Sequence, residues 1–177
     1  MTKELKDVVL PKWCERDGVI YFSVTSDGTT GKEWIEQLKG KGFRLSKYAK
    51  SVLLSPGFKP TTGITTKIAI LKGVLFEDNN RYTAKIRVEA SKRKLTLPNA
   101  EVACLIRNNF SDEEIEAMGL IWIVAVHEPI KDYGGDRILL IVDRYGVNYW
   151  SFAFFGKPDH VWHRVSGFAF VVSWTSF

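Results

Sequence analysis

Two runs in the last third of the chain, Leu120-Ile121-Trp122-Ile123-Val124-Ala125-Val126 and Ile138-Leu139-Leu140-Ile141-Val142, are apolar at every position. A strand with one face in water alternates apolar and polar residues, so strands without alternation are covered on both faces. Such a sheet needs helices against it, and the preceding sequence supplies them. The expected fold class is α+β: helices packed on a mixed sheet in the order β-α-α-β-α-α-α, followed by an antiparallel C-terminal β-meander.

Val19 to Val24 is β-branched and aromatic and reads as the first strand. Thr30 and Glu33 have the spacing of a capping box, in which hydroxyl and carboxylate satisfy free N–H groups at a helix start, and Trp34, Ile35 and Leu38 then form an apolar stripe. Ser46 is placed to cap a second helix ending before Pro56-Gly57. Lys67 to Leu71 reads as a buried strand, extended past Gly73 into Val74-Leu75-Phe76. Asp78-Asn79-Asn80 offers caps for a helix over about 81–94. Pro98-Asn99 opens another, and Ser111 with Glu114 repeats the capping box before a short third helix ending at Met118-Gly119. Strands are expected over 120–126, 138–142, 147–155, 161–165 and 168–174. In the last, Phe168, Phe170, Val172 and Trp174 alternate with smaller residues, the pattern of a strand covered on one face.

A length of 177 residues allows one domain with a full core, and 45% apolar with 25% charged residues is globular usage. The reading is a single domain over 1–177, with a basic α/β part at 1–118 and an aromatic-rich β part at 119–177. The two cysteines, Cys14 and Cys104, form no framework, which fits a reducing compartment. The N-terminal residues alternate in charge, and the longest apolar run is too short to span a bilayer, so the expected location is cytoplasmic, with no membrane partner. Neither a cofactor motif nor a metal-ligand spacing is present.

The net charge is +5, and residues 1–118 carry all of the excess, with 20 Lys/Arg against 15 Asp/Glu. Two stretches concentrate it: 32–72 with 9 basic and 2 acidic residues, and 81–94 with 6 and 1. Such local excess attracts polyanions, and phosphate contacts require charge and reach rather than exact geometry. The leading expectation is therefore a non-enzymatic protein that binds nucleic acid through Lys39, Lys41, Arg44, Lys47, Lys50, Arg81, Lys85 and Lys92. The plain alternative is that these are solvated helix faces. A helix-turn-helix over 31–54 fits poorly, because the six residues from Gly40 to Leu45 exceed its usual turn.

Other constellations carry rival readings. Gly28-Thr29-Thr30-Gly31-Lys32 joins a strand to a helix, where free N–H groups favour anions, so Thr29, Thr30 and Lys32 are an anion-site candidate. The glycine spacing and Glu33 exclude a P-loop. His127 and Glu128 follow a strand, with Asp143 and Arg144 ending the next; base, carboxylate and guanidinium would suit hydrolysis or phosphoryl transfer. His160 and His163, three apart, would leave a strand on opposite faces and chelate poorly. Cys104 needs a histidine to act as a nucleophile and otherwise packs in a second layer. The aromatic set Trp122, Trp150, Phe152, Phe154, Trp162, Phe168, Phe170 and Trp174 makes core or, if exposed, a stacking or protein-interaction surface.

The segments Leu71-Lys72-Gly73-Val74-Leu75-Phe76-Glu77-Asp78-Asn79-Asn80-Arg81, Pro98-Asn99-Ala100-Glu101-Val102-Ala103-Cys104-Leu105-Ile106-Arg107 and His127-Glu128-Pro129-Ile130 resemble a group of uncharacterised bacterial proteins known mainly from genome and metagenome sequences. The resemblance covers about residue 20 to the C-terminus, most loosely after Asp132. It implies a bacterial or phage-like origin and brings no activity and no site.

Overall fold

The computed structural model describes residues 11–144, 146–151 and 161–173, with 148–151 described by backbone only. Strand β1 (Cys14–Arg16) turns at Asp17-Gly18, both at positive φ, into β2 (Val19–Asp27). Such a two-residue turn matches the natural twist of paired strands. Helix α1 (Gly31–Gly40) leads through β3 (Arg44–Leu45) to α2 (Lys47–Leu53), and β4 (Thr62–Lys72) follows. Helix α3 (Thr83–Lys92), β5 (Leu95–Thr96), α4 (Glu101–Asn109) and α5 (Asp112–Ala117) come next. The chain continues through β6 (Trp122–Ala125), β7 (Ile130–Lys131), β8 (Arg137–Asp143), β9 (Gly146–Ser151) and β10 (Ser166–Val172).

These strands form one ten-stranded sheet in the order β1-β2-β4-β10-β6-β8-β9-β3, with β5 also on β10 and β7 on β8. After β2 the chain crosses one face as α1, pairs at the far edge as β3, and returns as α2 to place β4 beside β2. The connection between α1 and α2 is thus a sheet-edge strand, which rules out a helix-turn-helix. Gly146 permits the edge pairing: a Cβ there would meet the Arg44 carbonyl at 1.8 Å.

The C-terminal strands are not a simple antiparallel meander. Strand β10 runs parallel to β6 and antiparallel to β4, wedged between them, so the sheet interleaves strands from either side of Gly119. That central position overturns the one-sided reading of 168–174, because Phe168, Ala169 and Phe170 are all buried. Alanine lies between the aromatics because a helix presses on that side, not because water does.

Alternation along the strands sorts the core into two layers. Ile20, Phe22, Ile68, Ile70, Ile123, Leu140 and Ala169 pack under α1, α2, α4 and α5. Val19, Ala69, Leu71, Val124, Leu139, Phe168 and Phe170 face the opposite way, against Ile86 and Ala90 of α3 and against Trp162. Both capping boxes form, Thr30 with Glu33 and Ser111 with Glu114, and Ser46 caps α2. Three expectations shift: Gly73–Leu75 is a 3-10 turn rather than strand, Asp78–Asn80 is another rather than a cap, and 161–165 is not a strand. Among the described residues no helix is long and apolar enough to cross a membrane.

Candidate nucleic-acid interface

The basic residues do not converge. Lys39, Lys41, Arg44, Lys47 and Lys50 lie on α1, its C-terminal turn, β3 and α2, over one face of the sheet, whereas Lys85 and Lys92 lie on α3 over the other. The cations of α1, β3 and α2 are therefore on the opposite side of the sheet from the α3 lysines, although Lys67 of the first stretch, over the Tyr21 ring, lies on the α3 side.

Arg81 leaves the surface altogether. Its guanidinium is buried, donating from Nε to the Gly73 carbonyl (2.9 Å), from Nη1 to the Trp162 carbonyl (3.0 Å) and from Nη2 to Asp78 (2.6 Å). The Trp162 N–H in turn donates to the Arg81 carbonyl at 2.6 Å. Five fixed donors make arginine the side chain best able to gather several carbonyls at once. Arg81 is a clamp between the loop after β4 and the strap before β10. Lys41 is exposed and bonds the Asn108 side chain.

What remains on the first face is compact. The buried side of α2 is Ala49, Val52 and Leu53, which leaves Lys47, Lys50 and Ser51 on its outer side. The Ser51 hydroxyl accepts the Tyr133 N–H at 2.7 Å and so brings the tip of the β7–β8 loop onto α2. The Tyr48 and Tyr133 rings stack, with centroids 6.1 Å apart and planes 9° from parallel, and the Lys47 ammonium lies 5.0 Å from the Tyr48 centroid. The two phenols raise the Lys47 pKa, so this cation stays charged. Tyr133 is 70% exposed, and Arg44 on β3 and Lys39 on α1 are exposed as well. Among the described residues, no carboxylate lies within ion-pair distance of Lys39, Arg44, Lys47 or Lys50. Tyr133 was absent from the sequence-based candidates, because nothing local ties a loop tyrosine to a helix more than 80 residues earlier.

The anion-site candidate at the start of α1 is already filled by the protein. Thr30 Oγ1 and N–H both bond the Glu33 carboxylate, and Thr29 bonds Asp27 from both N–H and hydroxyl, which holds both carboxylates below their usual pKa values. Gly31 serves packing: a Cβ there would strike the Leu53 carbonyl at 1.8 Å. Lys32 is exposed beside this acidic turn.

The strand-end constellation does not assemble either. Asp143 pairs in register with Trp122 at the start of β6, while His127 follows its end, so the two stand at opposite ends of the strand pair. Arg144 reaches Glu116 at 3.5 Å, and Glu128 is exposed. His127 is buried and fully engaged. Its Nε2 accepts the Leu140 N–H at 3.0 Å, which places its proton on Nδ1, and Nδ1 donates to the Glu128 carbonyl at 2.7 Å. Burial is the main cause that lowers its pKa to about 4, with the Arg87 charge adding to it. A ring with both nitrogens committed has no lone pair to offer a substrate.

Cys104 is fully buried in α4 among Val102, Leu105 and Ile106, and burial raises its thiol pKa, so it stays protonated. Trp162, Phe168 and Phe170 are core, and Trp122 is half-buried with its ring 5.9 Å from that of exposed His163. Phe152, Phe154, His160, Trp174 and the Trp150 side chain lie outside the described residues. Among the described residues no three His, Cys, Asp or Glu side chains gather as a metal site.

The fold defines an α+β protein with, among the described residues, five α-helices on a ten-stranded mixed sheet. No family model, no curated protein and no solved structure matches the chain, so function rests on the site alone.

Proposed function

We propose that the protein binds nucleic acid, single strands best, through the outer side of α2. The observation that carries this reading is the exposed Tyr133 ring stacked on Tyr48 with the Lys47 ammonium over the Tyr48 ring, on the same outer side of α2 as Lys50, where among the described residues no carboxylate pairs with either lysine. Aromatic faces that stack bases, set beside lysines that meet phosphates, are how proteins hold single strands with little sequence preference. The α3 lysines belong to the opposite face and take no part.

Fluorescence anisotropy with labelled single- and double-stranded DNA and RNA tests the reading. If three phosphates are neutralised, affinity falls about 20-fold for single strands and about 40-fold for duplex between about 50 and 200 mM salt. Absence of binding at the lower salt eliminates the proposal, as does equal binding by a Lys47→Glu/Lys50→Glu variant.

A further inference from the structure

The loop at 132–136 joins β7 to β8, where Lys131 stands opposite Arg137, and it carries the exposed Tyr133. Loops between strands are as a rule more mobile than the strands they join. This one is tied within itself. Asp132 is buried, and its Oδ1 accepts the N–H of Gly134 and the N–H of Asp136, both at 2.9 Å. The Asp132 backbone closes the same turn, its N–H donating to the Asp136 carbonyl at 2.9 Å and its carbonyl accepting the Gly135 N–H at 3.1 Å. Gly135 has a φ of 84°, a conformation that glycine adopts without strain.

A second hold comes from α2. Tyr48 and Ser51 are three residues apart and share one side of that helix. The Ser51 hydroxyl accepts the Tyr133 N–H at 2.7 Å, while the Tyr48 ring stacks on the Tyr133 ring with planes 9° from parallel. Backbone and ring of Tyr133 are thus fixed separately, yet most of the side chain stays in water. A mobile ring would have to be ordered each time a base landed on it, which weakens binding by about threefold to tenfold; a ring ordered in advance avoids that loss.

We propose that Asp132 is the positioning residue of the α2 site: by closing the 132–136 loop it holds Tyr133 as a fixed platform for one unstacked base. The site then selects strands by their bases as well as their phosphates, and a phosphate chain without bases is a poor ligand. The inference rests on the reading of α2 as a nucleic-acid surface and adds to it the requirement for a base.

Two measurements on the full chain separate the inference from that reading. Amide hydrogen exchange without nucleic acid reads the hold alone: the Tyr133 N–H should be protected in the wild type and should exchange at least about tenfold faster in Asp132→Ala and in Ser51→Ala. Anisotropy at about 50 mM salt, with labelled oligothymidylate and with an equally long strand of abasic deoxyribose phosphates, reads what the hold serves. The wild type should bind oligothymidylate at least about fivefold more tightly than the abasic strand. Asp132→Ala should weaken oligothymidylate about threefold to tenfold and change the abasic strand less than about twofold, and Ser51→Ala should act in the same sense. Asp132→Asn keeps an accepting oxygen and should behave as the wild type. An unprotected Tyr133 amide in the wild type, undiminished binding by Asp132→Ala, equal weakening of both strands, or an asparagine variant as weak as the alanine one would each overturn the positioning role and leave the α2 reading standing. A wild type that binds neither strand would overturn the α2 reading, and the positioning role with it.

Discussion

The His127 ring takes the place of a strand segment, its Nε2 accepting the Leu140 N–H at 3.0 Å where β6 has ended and β7 has not begun. Pro129 interrupts this side of the sheet, and the His127 N–H turns back onto the Ala125 carbonyl at 2.9 Å. Without the ring, a buried amide of a central strand would lack an acceptor, at a cost of about 1–3 kcal/mol.

Stability should therefore fall with acid in a definite window. The His127 pKa is lowered from 6.5 to about 4, so between these values the unfolded chain binds more protons than the folded one. The contribution is fully present above about pH 6.5 and is lost as pH falls toward 4; at about 1.4 kcal/mol per pKa unit it is on the order of 3 kcal/mol. Urea unfolding at half-unit steps from pH 7 to 4 measures it. His127→Gln should be less stable at pH 7 and should lack most of this slope; an unchanged slope would show that other groups cause it.

Arg81→Ala should destabilise the fold by on the order of 3 kcal/mol, because the Gly73 and Trp162 carbonyls lose their donor together. Arg81→Lys should recover little, since one ammonium cannot span a fork-shaped set of acceptors. Denaturant midpoints report both variants, and a wild-type midpoint for the lysine variant would refute the clamp.

The two basic faces should separate cleanly in binding. Lys47→Glu/Lys50→Glu is expected to remove nucleic-acid binding, whereas Lys85→Glu/Lys92→Glu on α3 should leave most of it. Tyr133→Ala should weaken single-strand binding by about 1–3 kcal/mol, the contribution of one stacked base. Anisotropy titrations at about 50 mM salt distinguish these outcomes.

The fragment 1–118 should not fold cooperatively, because β4 would lose its neighbour β10 and α4 its packing against β6 and β8. A sharp thermal transition of this fragment by circular dichroism would contradict that expectation.

Thiol titration should find one fast cysteine, Cys14, and one that reacts only on unfolding, Cys104. Two fast thiols in native protein would mean that α4 opens readily.

Local signals were legible wherever the cause was local. The capping boxes at Thr30 and Ser111 needed only residues three apart, and the unbroken apolar runs of β6 and β8 declared strands covered on both faces. The Asp17-Gly18 pair also carries a hairpin signal, but β1 before it has only three residues, too few to show a period. The short strands β3, β5 and β7 left no trace, since two residues are too few to show a period.

By itself the sequence determined the α+β class, the helix starts at Thr30, Ser46 and Ser111 and which residues are apolar enough for the core, because each depends on chemistry within a few positions. Tertiary structure alone decided where β10 inserts, that the sheet parts the α1 and α2 lysines from those of α3, that Arg81 is buried, that His127 serves the sheet, and that Tyr133 meets Tyr48. These depend on pairings between residues tens of positions apart. Strand order is chosen by how both layers pack together, and a charge or an aromatic ring reads the same in sequence whichever side of the sheet it reaches.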